Sequence, residues 1–190
     1  MKKTSLIIAF CLITLGVASL ALNINTRTSE ASSQKPLPID RVPDEVKYSA
    51  FFHYVADLNR QAEELERAGK DASSVRMHIQ IHANLDYEQA RILNEIVSAC
   101  IKKVEQQDRK AIAVIEKFRA KFPGGKVPAG VNLPPPPPEL TALQIERNHI
   151  ILRARDTYRY NVGDAGYTKV NDFVEREIAP NIRPVKADKR

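Results

Sequence analysis

Residues Tyr87 to Phe122 read YEQARILNEIVSACIKKVEQQDRKAIAVIEKFRAKF. Apolar side chains recur along them in steps of three and four: Ala90, Leu93, Val97, Cys100, Val104, Ala111, Ile115, Phe118 and Phe122. That spacing draws one stripe down an α-helix, with the rhythm of coiled-coil packing. No Gly or Pro interrupts it. At about 1.5 Å per residue the rod would span roughly 54 Å. A small globule cannot cover such a length, so the stripe predicts helices laid alongside it or a second copy of the chain.

The flanking sequence supplies those helices. A helix over Pro43–Gly69 presents Phe51, Val55, Leu58, Ala62 and Leu65. Pro43 suits its first position and Gly69 its end. A short helix is expected over Ser73–Ala83, with Val75 and Ile79 apolar. Beyond the long helix lies a Pro-rich loop, 123–138, whose run Pro134 to Pro138 predicts a polyproline II stub of roughly 15 Å. A helix over Ala142–Tyr160 follows, preceded by Leu140 and carrying Leu143, Ile150, Ile151 and Ala154. Gly163-Asp164 breaks it, and a last helix is expected over Ala165–Ile178 with Tyr167, Val170, Phe173 and Val174. No segment after residue 22 alternates as a strand does. The predicted fold is all-α: an elongated helical hairpin or bundle over 43–179, with a basic tail at 180–190.

The first 22 residues read differently. Lys2-Lys3 precede an apolar run, Leu6 to Leu22, and Ser19-Leu20-Ala21 places small residues before a cut after Ala21. That pattern predicts a secretory signal peptide. The 17-residue run also fits an uncleaved membrane anchor at 6–22. Either way the positive flank stays inside and the rest is expected beyond the inner membrane, periplasmic or extracytoplasmic. Residues 23–42, rich in Ser, Thr and Pro, read as a flexible linker.

Net charge is +6. Lys2 and Lys3 account for two of these charges, leaving +4 beyond the leader. Basic and acidic residues are read as interleaved along the helices, so no nucleic-acid footprint is expected. Cys100 is the only cysteine outside the leader and is expected to be buried in the stripe rather than reactive.

Catalytic motifs are absent from the sequence. There is no GxSxG, and PGGK at Pro123–Lys126 lacks the rest of a phosphate loop. Cys100 has no His partner in sequence. No enzyme activity, no cofactor and no small-molecule substrate are predicted; the expected partner is a protein or a second copy. His78 and His82, spaced i, i+4, share a helix face and can supply two corners of a Zn²⁺ or Cu²⁺ site. The alternative is an ordinary packed or solvated pair, because HIQIH lacks the Glu of HExxH. His53 and His149 stand alone.

Arg147, Arg153, Arg155 and Arg159, with Tyr158 and Tyr160, form the candidate binding patch; the alternative is the solvated face of a packed helix. Asp108 and Arg147 interrupt apolar stripes, and either would be costly to bury alone. An antiparallel pairing about the loop predicts Asp108 near Arg153 or Arg155, and Arg147 near Glu116.

Two helix starts match. Leu85, Asp86 and Gln89 (LDYEQ) and Leu140, Thr141 and Gln144 (LTALQ) each predict a capping box, in which the cap oxygen takes the third amide and Gln reaches back. In the second, Leu140 and Ile145 would also form a hydrophobic staple. LTALQ resembles the LTxxQ signature of the Spy/CpxP-like periplasmic proteins; LDYEQ departs from it at Asp86. The resemblance implies an exported, all-helical, dimerising curved hairpin acting as an ATP-independent chaperone, an envelope-stress regulator or a metal-responsive sensor. The stretches DEVKYSAFF, FRAKFPGG and ERNHIILRARD also resemble a group of uncharacterised exported helical bacterial proteins, which implies no activity. A membrane-anchored structural envelope protein is the remaining expectation.

Overall fold

The computed structural model describes residues 42–122 and 135–183. The leader, most of the linker, most of the Pro-rich loop and the tail beyond Arg183 lie outside them. The described residues form an all-α bundle with no strand: α1 Asp44–Arg67, α2 Ser73–Arg76, α3 His78–His82, α4 Tyr87–Arg119 and α5 Pro138–Phe173. A π-helical turn, Val174–Ile178, and a 3-10 turn, Ala179–Asn181, close it. None of these helices is long and apolar enough to cross a membrane.

α4 is the axis. Its 33 residues span about 50 Å. Asp86 caps it: the carboxylate accepts from Gln89 N at 2.8 Å, and Gln89 Oε1 accepts from Asp86 N at 3.2 Å. Both bonds of the capping box are therefore made. The last turn carries Lys117 and Arg119 against the negative end of the helix dipole. Leu93, Val97, Cys100, Val104, Gln107 and Ala111 are buried, on the face that the apolar stripe marks.

α1 and α5 cover the first half of that face. Tyr48, Phe51, Phe52 and Val55 of α1 meet Leu93, Val97, Cys100 and Val104 of α4, and Ile151, Tyr158, Val170 and Phe173 of α5. Phe51 lies 5.9 Å, centroid to centroid, from Phe173, and Tyr48 stacks on Tyr167 at 6.5 Å. Burying such aromatic side chains is the largest single favourable contribution here, about 2–3 kcal/mol each. Val42, Ala50 and Ile182 make a second, small cluster that joins the two ends of the described body.

Four expectations change. The Ser73–Ala83 helix divides at Met77 into α2 and α3. α4 ends at Arg119, three residues before Phe122. α5 begins at Pro138, not Ala142, because a proline at the first helical position has its φ already set and lacks an N–H the helix could not use. Thr141 consequently sits inside the helix and makes no capping box; Gln144 donates to Asn148 Oδ1 at 2.8 Å instead. The last of the five prolines is thus helical, and Pro137 is the cap. The break expected at Gly163-Asp164 is present: Gly163, at φ 70°, ψ 174°, kinks α5 into two helical stretches, the second ending at Phe173. A Cβ on Gly163 would meet no atom within 4 Å, so the backbone alone demands glycine.

The two helix ends move the register as well. Three residues at one end and four at the other slide the antiparallel pair by about two turns. Asp108 therefore meets Arg147, not Arg153 or Arg155, and Arg147 does not reach for Glu116. Arg147 Nε donates to Asp108 Oδ1 at 3.0 Å and Nη1 donates to Ser49 Oγ at 3.3 Å. Asp108→Ala leaves a guanidinium that is 12% exposed without its anion. We expect it to cost about 1–3 kcal/mol in urea unfolding, while Asp108→Leu with Arg147→Met is close to neutral. Equal losses in the single and double variants would deny the pair its role.

Candidate binding surface

The arginine-tyrosine patch does not form one surface. Arg147 faces inward to Asp108 and Ser49. Tyr158 is buried at 1% exposure, and its hydroxyl makes no hydrogen bond. Arg155 turns back to α1: it donates to Asp44 at 2.9 Å, pairs with Asp156 and lies 5.8 Å from the Tyr48 ring. Arg159 donates to Asp164 at 2.7 Å and covers Tyr167 at 5.3 Å. Arg153 and Tyr160 are exposed; Tyr160 is 89% so. Helical spacing spread these residues around α5, and the inward ones were taken by the core.

A different surface stands out. The main core holds no residue of α4 beyond Val104 and none of α5 before Ile150. Beyond that level α4 and α5 continue as a two-helix arm. Its seam residues, Val114, Ile115, Phe118, Leu140 and Leu143, are only half-buried. Ile112 and Ile145 are 49% and 50% exposed. Two helices cannot cover each other's apolar stripes fully, and α1 meets the Asp108–Arg147 level at Ser49. Ile145 belongs to no staple with Leu140, since the helix start it would brace does not exist.

The histidine pair is brought together. The rings of His78 and His82 lie 4.3 Å apart, and the Tyr54 hydroxyl shares a 2.7 Å hydrogen bond with His78 Nε2. Among the described residues no group of three or more His, Cys, Asp or Glu is placed to hold a metal ion. His53 lies apart, against the Arg147–Asp108 level, and His149 is exposed beside Glu146. Cys100 is buried, and burial pushes its thiol up to about 11, so it is not a nucleophile at neutral pH. A shallow cleft lined by Val55, Leu58, Ile79 and Leu93, and bridged by Asn59 Nδ2 donating to Asn94 Oδ1 at 3.0 Å, has room for about one water.

The fold and this surface define a class, an all-α bundle with a projecting two-helix arm. No family model, no curated protein and no solved structure matches the chain.

Two histidines link the bundle to pH. Burial, and then Arg147, lower the pKa of His53 from 6.5; burial, and then His82, lower that of His78. Each ring is held neutral in the folded state, so the unfolded chain binds more protons once the pH drops below about 6.5. Stability is complete above that value and declines in acid. Thermal melting should fall on going from about pH 7.5 to about pH 5, and by less in a His53→Gln, His78→Gln variant. An identical fall in the variant would place the cause elsewhere.

Proposed function

We propose that this chain is an exported helical binding protein, chaperone-like in action, which engages other polypeptides through the arm formed by the end of α4 and the start of α5. The observation that carries the reading is the exposed apolar flank of that arm, with Ile112 and Ile145 each about half exposed. An apolar, partly covered helix pair accepts a further helix or an unfolded apolar segment into its seam. Neither side chain belongs to a core cluster, so the surface is available for another use. The LTALQ resemblance and the leader's pattern support the same compartment and mode of action.

The test uses Ile112→Glu with Ile145→Glu. The variant should keep the helical circular dichroism signal, since both positions are exposed. The parent should suppress aggregation of a reduced, unfolding test protein without ATP, and the variant should lose most of that suppression. A parent without effect, giving the same light-scattering mass as the variant and capturing nothing from envelope extract that the variant does not, would overturn the proposal.

A second reading, a metal-responsive sensor, is favoured by the adjacency of the His78 and His82 rings. A neutral imidazole pair at i, i+4 would bind Zn²⁺ or Cu²⁺ with water completing the shell. Titration calorimetry with either ion should then show binding that His78→Ala with His82→Ala abolishes; no heat from the parent would remove it.

A further inference from the structure

The second half of α4 carries a row of lysines along one flank. Lys103, Lys110 and Lys117 follow each other at seven residues, and Lys121 follows at four. A seven-residue step is nearly two turns, with a drift of about 20°. The first three ammonium groups thus lie along one flank of the helix over about 21 Å, and Lys121 follows in the turn after Arg119. Lys102 and Arg109, about 100° further round the helix, face solvent on the side that also carries Glu105 and Glu116. All six residues are exposed. The acids of this half, Glu105, Asp108 and Glu116, fall on the opposite flank by helical spacing, and Asp108 is already paired with Arg147.

Elsewhere the cations divide: Lys70, Arg119 and Arg153 also meet no carboxylate among the described residues, while others do. Arg60, Arg76, Arg91, Arg155, Arg159 and Arg176 all meet a carboxylate. Lys103, Lys110, Lys117 and Lys121 meet none among the described residues. Lys110 only touches Gln107, at 3.1 Å, and Lys121 only the face of Phe118. The helix dipole accounts for Lys117 and Lys121, but its influence ends within the last turn and does not reach Lys103 or Lys110. Charges placed for solubility alone would be of both signs.

We propose that this stripe lays α4 onto an anionic phospholipid surface. Between the lysines the helix exposes Ala99, Ala113 and Ala120. That bed lacks the aromatic or arginine anchors with which a protein partner would be gripped. Lysine presents a compact, mobile point charge rather than a fork for one oriented carboxylate. A row of such point charges suits laterally mobile headgroups, which gather beneath them. Clusters of four to eight cations on an amphipathic helix bind such surfaces, with about a fivefold gain for each residue near the surface. The surface is distinct from the apolar flank at Ile112, so the two proposals stand or fall separately.

The experiment compares the full chain on vesicles of phosphatidylcholine with about 30% phosphatidylglycerol and on pure phosphatidylcholine, so that any attachment through the N-terminal segment is common to both. Lysine acetylation is followed residue by residue by mass spectrometry. Lys103, Lys110, Lys117 and Lys121 should react at least about fivefold more slowly on the anionic vesicles, with Lys70 unchanged, and about 0.5 M salt should remove the difference. The exposed-site variant K103Q/K110Q/K117Q/K121Q should fold and lose its preference for anionic over neutral vesicles. Equal labelling on both lipids, a preference that survives in the variant, or protection by polyglutamate but not by vesicles would overturn the assignment; the last would point to an acidic protein partner.

Discussion

Arg147 is where three helices meet. It comes from α5, donates to Asp108 of α4 and to Ser49 of α1, and remains only 12% exposed. A guanidinium so placed tolerates one register of α5 against α4, since any slip would leave two charges half-desolvated and apart. Toward the N-terminal end of α4 the helices close around an aromatic core. Away from it, among the described residues, the seam of α4 and α5 is only half-covered. The ion pair is thus the rim of the core, and the incompletely covered arm follows from where that rim falls.

The closed half is held by more than packing. Lys47, buried among the aromatics, has its charge opposed by burial, but Glu175 at 2.6 Å and Asp44 at 3.5 Å outweigh that and raise its pKa. Tyr48 shares the Asn171 amide oxygen with Tyr167. These bonds tie the start of α1 to the stretch after Gly163. At Gly166 a Cβ would lie 2.9 Å from the Gln89 amide nitrogen, so the small residue lets α5 approach the capped start of α4. Cap and glycine close one end of the dense half, and the Arg147–Asp108 pair marks its other limit.

Much of this was legible in the sequence. The three-and-four rhythm marks the buried face of α4 as far as Ala111, and the Asp86–Gln89 box marks its start. Gly163 was recognisable as a break. What misled was the proline run. It reads as an extended spacer, yet its last member opens a helix, and that shift carried Thr141 out of its cap and moved the register by two turns. The candidate arginines were judged by type rather than by direction around α5, so inward and outward members were grouped together. Gln107 gave no sign of being buried, because a single polar residue in a stripe resembles an ordinary interruption. The heptad of lysines was visible as spacing, but counting charges along the chain, instead of around the helix, hid it among the acids.

The small cluster of Val42, Ala50 and Ile182 has a consequence for attachment. It brings the first and last described residues side by side, so the preceding segment and the basic end leave the bundle from one patch. The described body begins and ends at that patch. Whatever holds the front of the chain also holds the back, and load applied through either falls on three modest side chains before it reaches the aromatic core.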